Sequence, residues 1–191
     1  NHEIIAIDTQ WFGNYLKKHK KLKNIKKNIL DINKIDLKDV DTIIHLASIA
    51  NDPMGDLVQN ITWEYSCLGT MKLLNLAIEQ NVKKIIYASS SSVYGLKKEK
   101  KVTENLSLKP ISIYNKAKMI TERIILSYSD KIDFTIIRPA TVCGVSPRMR
   151  FDVSVNMMTY QALKNGKMTV FGGNQTRPNI HMDDLLDLYI F

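Results

Sequence analysis

A tyrosine and a lysine stand four residues apart in this chain, Tyr114-x-x-x-Lys118, and a run of serines, Ser89-Ser90-Ser91-Ser92, precedes them. On a helix, positions i and i+4 share a face, so a phenol and an ammonium would project together. A phenol of ordinary pKa, about 10, is a poor base at neutral pH. A neighbouring ammonium favours the phenolate and makes Tyr114 competent for proton transfer. Ser90, 24 residues upstream of Tyr114, adds a hydroxyl able to hold the same substrate oxygen. Together these groups can oxidise an alcohol or reduce a ketone. Taken alone, the Tyr/Lys spacing also fits a solvated helix face, so the elements that carry it decide its meaning.

Apolar runs alternate with helical patterns along the chain, which predicts a parallel α/β sheet. Ile4-Ile5-Ala6-Ile7 reads as a buried strand ending at Asp8, Ile25 to Leu30 as a second ending at Asp31, and Thr42 to Ala47 as a third. A long helix is expected over Leu57 to Gln80, then a strand over Lys84 to Ser89. The Tyr114 helix is expected from Ser112 to Tyr128, followed by a strand over Phe134 to Arg138 that Pro139 stops. At 191 residues, the chain is long enough for a well-packed core. No apolar run approaches the ~20 residues of a membrane span. Cys67 and Cys143 have neither metal nor redox spacing, which fits packing roles, a reduced cytoplasmic setting and no metal site. The net charge of +8 and pI near 9.4 come largely from Lys17 to Lys27 and Lys97 to Lys101. Arginine and interleaved aromatics are scarce there, so a solvated face is the expected reading, not a nucleic-acid surface.

The strings Val82-Lys83-Lys84-Ile85-Ile86-Tyr87-Ala88-Ser89-Ser90-Ser91-Ser92-Val93-Tyr94-Gly95 and Tyr114-Asn115-Lys116-Ala117-Lys118 resemble the extended short-chain dehydrogenase/reductase family of NAD-dependent nucleotide-sugar epimerases and dehydratases. The resemblance runs through essentially the whole chain. It implies a Rossmann-like doubly wound parallel sheet. The Gly-rich turn that such a fold places after its first strand is not in this sequence, and the chain opens where the family enters its second strand. The chain therefore reads as an internal fragment. Residues 1–145 are expected to be a partial NAD-binding domain, and residues 146–191 the start of a truncated nucleotide-sugar-binding region.

The resemblance also assigns roles. Tyr114 is implied as general acid/base, Lys118 as the group that biases it and meets the nicotinamide ribose, and Ser90 as the residue orienting the sugar hydroxyl. Asp8 falls where the family places an acid on the adenosine ribose, a position that favours NAD over NADP; by sequence alone a helix N-cap or turn aspartate is the favoured reading. Asp31 and Ile32 match an adenine-contacting pair. His45-Leu46-Ala47-Ser48 resembles the segment lining the cofactor, with Leu46, Ala47 and Ser48 in contact and His45 structural. Ser66 stands where the family commonly carries an asparagine. Pro139 lies beside the nicotinamide in the resemblance and Thr141 faces the substrate. Arg177 suits a pyrophosphate, and Phe171 either stacks on a base or fills a core. His181 and Asp184 read as structural.

The dehydratases carry an Asp-Glu pair where this chain has Ser91-Ser92, which disfavours elimination of water. The expected activity is thus an NAD-dependent nucleotide-sugar epimerase, UDP-glucose 4-epimerase-like. A reductase or decarboxylase of the same family would use the same residues, and a non-catalytic dinucleotide- or RNA-binding protein on this fold is the rival class. The expected partners are a nucleotide sugar and a second copy of the chain, paired through its long helices, with no membrane.

Overall fold

The structure, a computed structural model, describes residues 2–190. Every strand pairing in it is parallel. β1 (Ile4–Asp8) pairs with β2 (Leu22–Lys26), Ile4 opposite Leu22 and Asp8 opposite Lys26. A second sheet has the order β3-β4-β5, built from Thr42–His45, Lys84–Ala88 and Asp133–Ile137. The orders 2-1 and 3-4-5 are what the doubly wound order 3-2-1-4-5-6 becomes without its strand 1. β1 and β3, the strands that would flank that position, expose Ile4, Ile5 and Ile44.

Two expected elements differ. The second strand is Leu22–Lys26 and not 25–30, because the Asn28 side chain accepts from Leu30 N and turns Ile29–Asp31 into a 3-10 turn. Asp31 therefore ends a turn. The long helix starts earlier than Leu57, at α1 (Asp52–Leu57), where Asn51 accepts from Met54 N. It is then interrupted at Val58 (φ −125°, ψ 60°). It continues as α2 (Gln59–Trp63), a π turn over Glu64–Leu68, and α3 (Gly69–Glu79). π turns are rare and tend to sit at functional sites.

The chain forms two compact units. Trp11 and earlier residues together with Lys17–Arg138 make the first; Phe12–Leu16 with residues from Pro139 onward make the second. In the first, α3 buries Thr70, Leu73, Leu74 and Ala77, the i, i+3, i+4, i+7 stripe of an amphipathic helix. Its apolar members join Val82, Ile85, Tyr87, Ile125 and Ile132 in one core. α4 (Ile113–Leu126) is different. Its buried residues are Asn115, Ala117, Lys118, Thr121, Glu122 and Ile125. A helix face with an amide, an ammonium and a carboxylate inside is costly unless each group finds a partner, so the site is sought there. The second unit holds β6 (Thr141–Cys143) beside β7 (Asn179–His181), with α5 (Ser154–Asn165) and α6 (Met182–Ile190). No helix among the described residues is long and apolar enough to cross a membrane.

Candidate active site

α4 begins under strong local control. The Ser112 hydroxyl accepts from Asn115 N and donates to the Asp52 carboxylate, while Asp56 accepts from Ile113 N at 3.3 Å. Both acids come from α1 and face the positive end of the α4 dipole. Tyr114, the second helical residue, lies directly against α1: a methyl group added to Gly55 would sit 2.9 Å from Tyr114 Cβ and 3.0 Å from its backbone N. Any side chain at position 55 must displace the tyrosine. Sequence reasoning passed over Gly55, although a lone glycine inside a helical pattern signals such close approach.

One turn further, Lys118 is 3% exposed. Its Nζ donates to Ala88 O at 2.7 Å and lies 4.9 Å from the Tyr87 ring centroid and 5.9 Å from that of Tyr114. An ammonium has three donors, so two N–H bonds stay available to other acceptors. Burial pushes the Lys118 pKa down to about 7, with Glu122 pulling it back up. The ammonium thus sits over both phenol rings at the C-terminal end of β4, poised between its charged and neutral forms near neutrality.

That burial has a stability signature. Between about pH 7 and the ordinary 10.5, the folded state carries fewer protons at Lys118 than the unfolded chain. Stability from this group therefore rises with pH across that window, and its cost is full below it. Lys118→Met is expected to raise the thermal midpoint most at pH 6, less at pH 8 and least at pH 10. Melting curves at the three values check it; a pH-independent difference would contradict the burial of a titrating ammonium.

Glu122, 1% exposed and not foreseen from the sequence, completes the buried face. Arg138 grips it with Nε at 2.9 Å and Nη2 at 2.7 Å, and the Ser89 hydroxyl donates to it as well. Arg138 Nη1 reaches Tyr94 OH at 2.8 Å. Hydrogen bonding to Glu122, against the opposing effect of burial, pushes the Arg138 pKa further up. The only hint in the sequence is that Glu122 lies one turn beyond Lys118 on the same helix face.

Ser90 stands two residues past the end of β4 and caps a 3-10 turn over Ser91–Tyr94. Its Oγ lies 2.7 Å from Ser92 Oγ and accepts from Ser92 N at 3.2 Å. Ser92 in turn donates to Asn115 Oδ1, the neighbour of Tyr114. The turn closes at Gly95, φ +68°, where a Cβ would collide with Lys109 O at 2.0 Å. Ser90, Tyr114 and Lys118 are thus tied into one unit by α4 and the end of β4.

His45 is structural, as read from sequence. It is buried, stacks obliquely on Tyr87 at 5.4 Å, and meets Thr70 Oγ1 at 2.8 Å. Thr70 spends its proton on Ser66 O, so His45 Nε2 is the donor. Burial holds the imidazole down to about 3, with the Lys118 charge adding to it; it stays neutral. Ser66 O, inside the π turn, also accepts from Thr121.

Of the expected cofactor residues, Asp8 and Leu46 to Ser48 stand at strand ends. Leu46 and Ala47 are exposed and Ser48 half-buried just after β3, and Asp8 is exposed at the end of β1. Asp8 Oδ1 accepts from Gln10 N, the turn role that sequence alone allowed, which leaves its second oxygen for another donor. Asp31 is exposed and Ile32 buried in the core. An acid and small or exposed residues at the C-terminal ends of parallel strands fit a dinucleotide. Pro139, Thr141, Phe171 and Arg177 belong to the second unit. There Thr141 N donates to Pro178 O and Thr141 pairs with Asn179, two residues past Arg177. Phe171 and Arg177 are exposed.

A model of the NAD dependent epimerase/dehydratase family matches residues 1–191. A curated protein of Bacillus subtilis described as an uncharacterized UDP-glucose epimerase is 32% identical over 96% of this chain and 62% of its own length. Among solved structures, a UDP-N-acetylglucosamine 4-epimerase from Methanobrevibacter ruminantium superposes with a TM-score of 0.88 at 25% identity, over 98% of this chain and 64% of that one. A UDP-glucuronic acid 4-epimerase from Bacillus cereus, in complex with UDP-glucuronic acid and NAD, gives 0.80 at 28% identity, over 90% and 55%. The chain spans under two thirds of the length of each of these relatives.

Proposed function

The chain belongs to the NAD dependent epimerase/dehydratase family, and from that membership and the site geometry we propose that the full-length protein is an NAD-dependent nucleotide-sugar epimerase, UDP-glucose 4-epimerase-like. The observation that carries this reading is the buried Lys118 ammonium beside the Tyr114 ring, with Ser90 held at the adjoining end of β4.

In this reading Tyr114 takes a proton from a sugar hydroxyl and later returns it, Lys118 favours the phenolate, and Ser90 orients the oxygen. NAD, when bound, supplies the chemistry of accepting hydride from the sugar carbon and giving it back. The two unspent Lys118 donors suit ribose hydroxyls; Asp8, Asp31, Ile32, Leu46, Ala47, Ser48 and Pro139 would hold the rest of the dinucleotide. Thr141, Phe171 and Arg177 would meet the nucleotide sugar, with residues 1–145 serving the cofactor and 146–191 beginning the sugar-nucleotide region. Dehydration is disfavoured: Ser91 and Ser92 are hydroxyls, and Ser92 is engaged with Asn115. A homodimer would form on the outer side of the α3 and α4 region, which exposes Leu68, Met71, Ile120 and Leu126.

The test is cofactor accounting in the full-length protein with NAD and a panel of nucleotide sugars. Interconversion of 4-epimers with no net NADH is expected. Stoichiometric NADH consumption would make it a reductase, and release of carbon dioxide from a sugar acid a decarboxylase. Either outcome overturns the epimerase reading.

A further inference from the structure

We propose that Tyr87 is a positioning residue for Lys118: the face of its ring, and not its hydroxyl, holds the ammonium in its charged form beside Tyr114. This rests on the reading of Lys118 as the charge that favours the Tyr114 phenolate.

The contact begins with the strand. β4 buries Ile85 and Tyr87 on one face, and its ladder with β3 ends at the pair His45–Tyr87. In the peptide that follows Ala88, Ser89 N donates to Ile137 O on β5 at 2.8 Å. A trans peptide points its carbonyl the opposite way, so Ala88 O stands past the last β3 residue and accepts from Lys118 Nζ at 2.7 Å. Adjacent residues of one strand thus meet the ammonium. Ala88 does so by its carbonyl and Tyr87 by its ring, with 4.9 Å from Nζ to the centroid. A cation within about 6 Å of an aromatic face is drawn to the negative face of the ring quadrupole, most strongly where water is excluded. Here Tyr87 is 1% and Lys118 3% exposed.

The surroundings leave little else to hold that charge. From β3, His45 is neutral, its pKa held down by burial and by Lys118 itself. From α4, Glu122 favours the ammonium, but its oxygens are engaged by Ser89 and by Arg138, a cation just past β5. The Tyr114 ring lies farther off than that of Tyr87, at 5.9 Å. Cys67, in the π turn beside Thr121, has a thiol whose pKa burial pushes up. The Tyr87 hydroxyl adds nothing to the charge. It lies near Thr121 yet closes no hydrogen bond among the described residues, and burial pushes its pKa up. An unpaired phenol inside a core is a cost. What this position supplies is the ring.

The experiment compares Tyr87→Phe, Tyr87→Leu and Tyr87→Met in the full-length protein, each with and without Lys118→Met. Loss of the aromatic face should lower the Lys118 pKa by about one unit. The pH profile of kcat reads that shift in the Lys118 background, since turnover needs the ammonium. Its alkaline limb should move to lower pH by about one unit in Tyr87→Leu and Tyr87→Met. Tyr87→Phe keeps the ring and should hold the limb in place. Melting gives a readout independent of turnover. Lys118 is charged at pH 6 and neutral at pH 9, so the melting loss of Tyr87→Leu against its parent should be about 2 °C larger at pH 6. In the Lys118→Met background that loss should be the same at both values. Tyr87→Met fills the space with a flexible chain and keeps the test open should Tyr87→Leu fail to fold. An unmoved limb, or a melting loss independent of pH, would overturn the proposal and leave Tyr87 a core residue. A shift in Tyr87→Phe as large as in Tyr87→Leu would overturn it too, by assigning the effect to the hydroxyl. A wild-type protein inert toward nucleotide sugars would sink the epimerase reading alone, leaving the melting cycle to decide this contact.

Discussion

Tyr114→Phe in the full-length protein is expected to lower turnover by about 10²–10⁴-fold, the usual worth of a positioned acid/base, while the protein keeps its NAD. The substitution removes one oxygen and keeps the ring and the helix backbone. α4 is fixed at its N-terminus by Ser112, Asp52 and Asp56, and the Tyr114 backbone packs on Gly55; phenylalanine preserves both. The ring face beside Lys118 also survives. Loss of activity with retained cofactor would therefore isolate proton transfer from binding. Dinucleotide content, measured by mass after denaturation, and turnover, measured on the same preparation, make the comparison. Near-wild-type turnover would remove Tyr114 from the mechanism. Loss of NAD together with activity would assign it to binding instead.

How much of this was legible follows from where the information lies. Tyr114 and Lys118 were readable as neighbours on one helix face, which α4 bears out, whereas Ser90 and the roles of all three came from the resemblance and not from periodicity. The start of α1 was readable too, from Asn51 and Pro53 as a cap and a first-turn proline, but the apolar pattern from Leu57 masked it. The short second strand turned on Asn28, whose side chain competes with the ladder. The π turn had no local signal: Ser66 O is held by Thr70 from the same helix and by Thr121 from α4, a tertiary bond. The split of the sheet has the same origin. β1, β3, β4 and β5 were visible from their own residues, β2 was displaced and the short β6 and β7 were not seen, and pairing depends on neighbours far along the chain. Glu122 was missed for a related reason. A lone glutamate on a helix reads as solvated until Arg138, 16 residues away, and Ser89, 33 away, are brought onto it.

The buried pair of Glu122 and Arg138 carries the largest stability effect expected. Arg138→Met leaves the Glu122 carboxylate inside the protein with the Ser89 hydroxyl and, for a cation, only the Lys118 ammonium one turn away. Breaking one side of a buried pair typically costs about 3–5 kcal/mol, since the orphaned charge keeps its desolvation penalty. The reverse change, Glu122→Gln, should cost less. Its side chain keeps the shape and one accepting oxygen, and the Arg138 side chain, 20% exposed, can turn to water and still hold Tyr94 OH. The double variant should be milder than Arg138→Met alone, because a neutral carboxamide in place of the Glu122 carboxylate has no charge to strand. Urea unfolding of the three variants reads the cycle directly. An Arg138→Met cost below ~1 kcal/mol would show the pair to be a surface-like contact of little worth, and a double variant worse than either single would show two independent roles. The outcome bears on the site as well as on stability. Arg138 is the last residue of the first compact unit, and Glu122 is its grip on the helix that holds Tyr114 and Lys118. Where the single variant unfolds early and the double does not, the cost is that of a stranded Glu122 charge and α4 holds its place without the pair; a double variant as costly as Arg138→Met would make the ion pair the fastening that sets α4 against the ends of β4 and β5. The proton-transfer groups then owe their places to a carboxylate that takes no part in the chemistry.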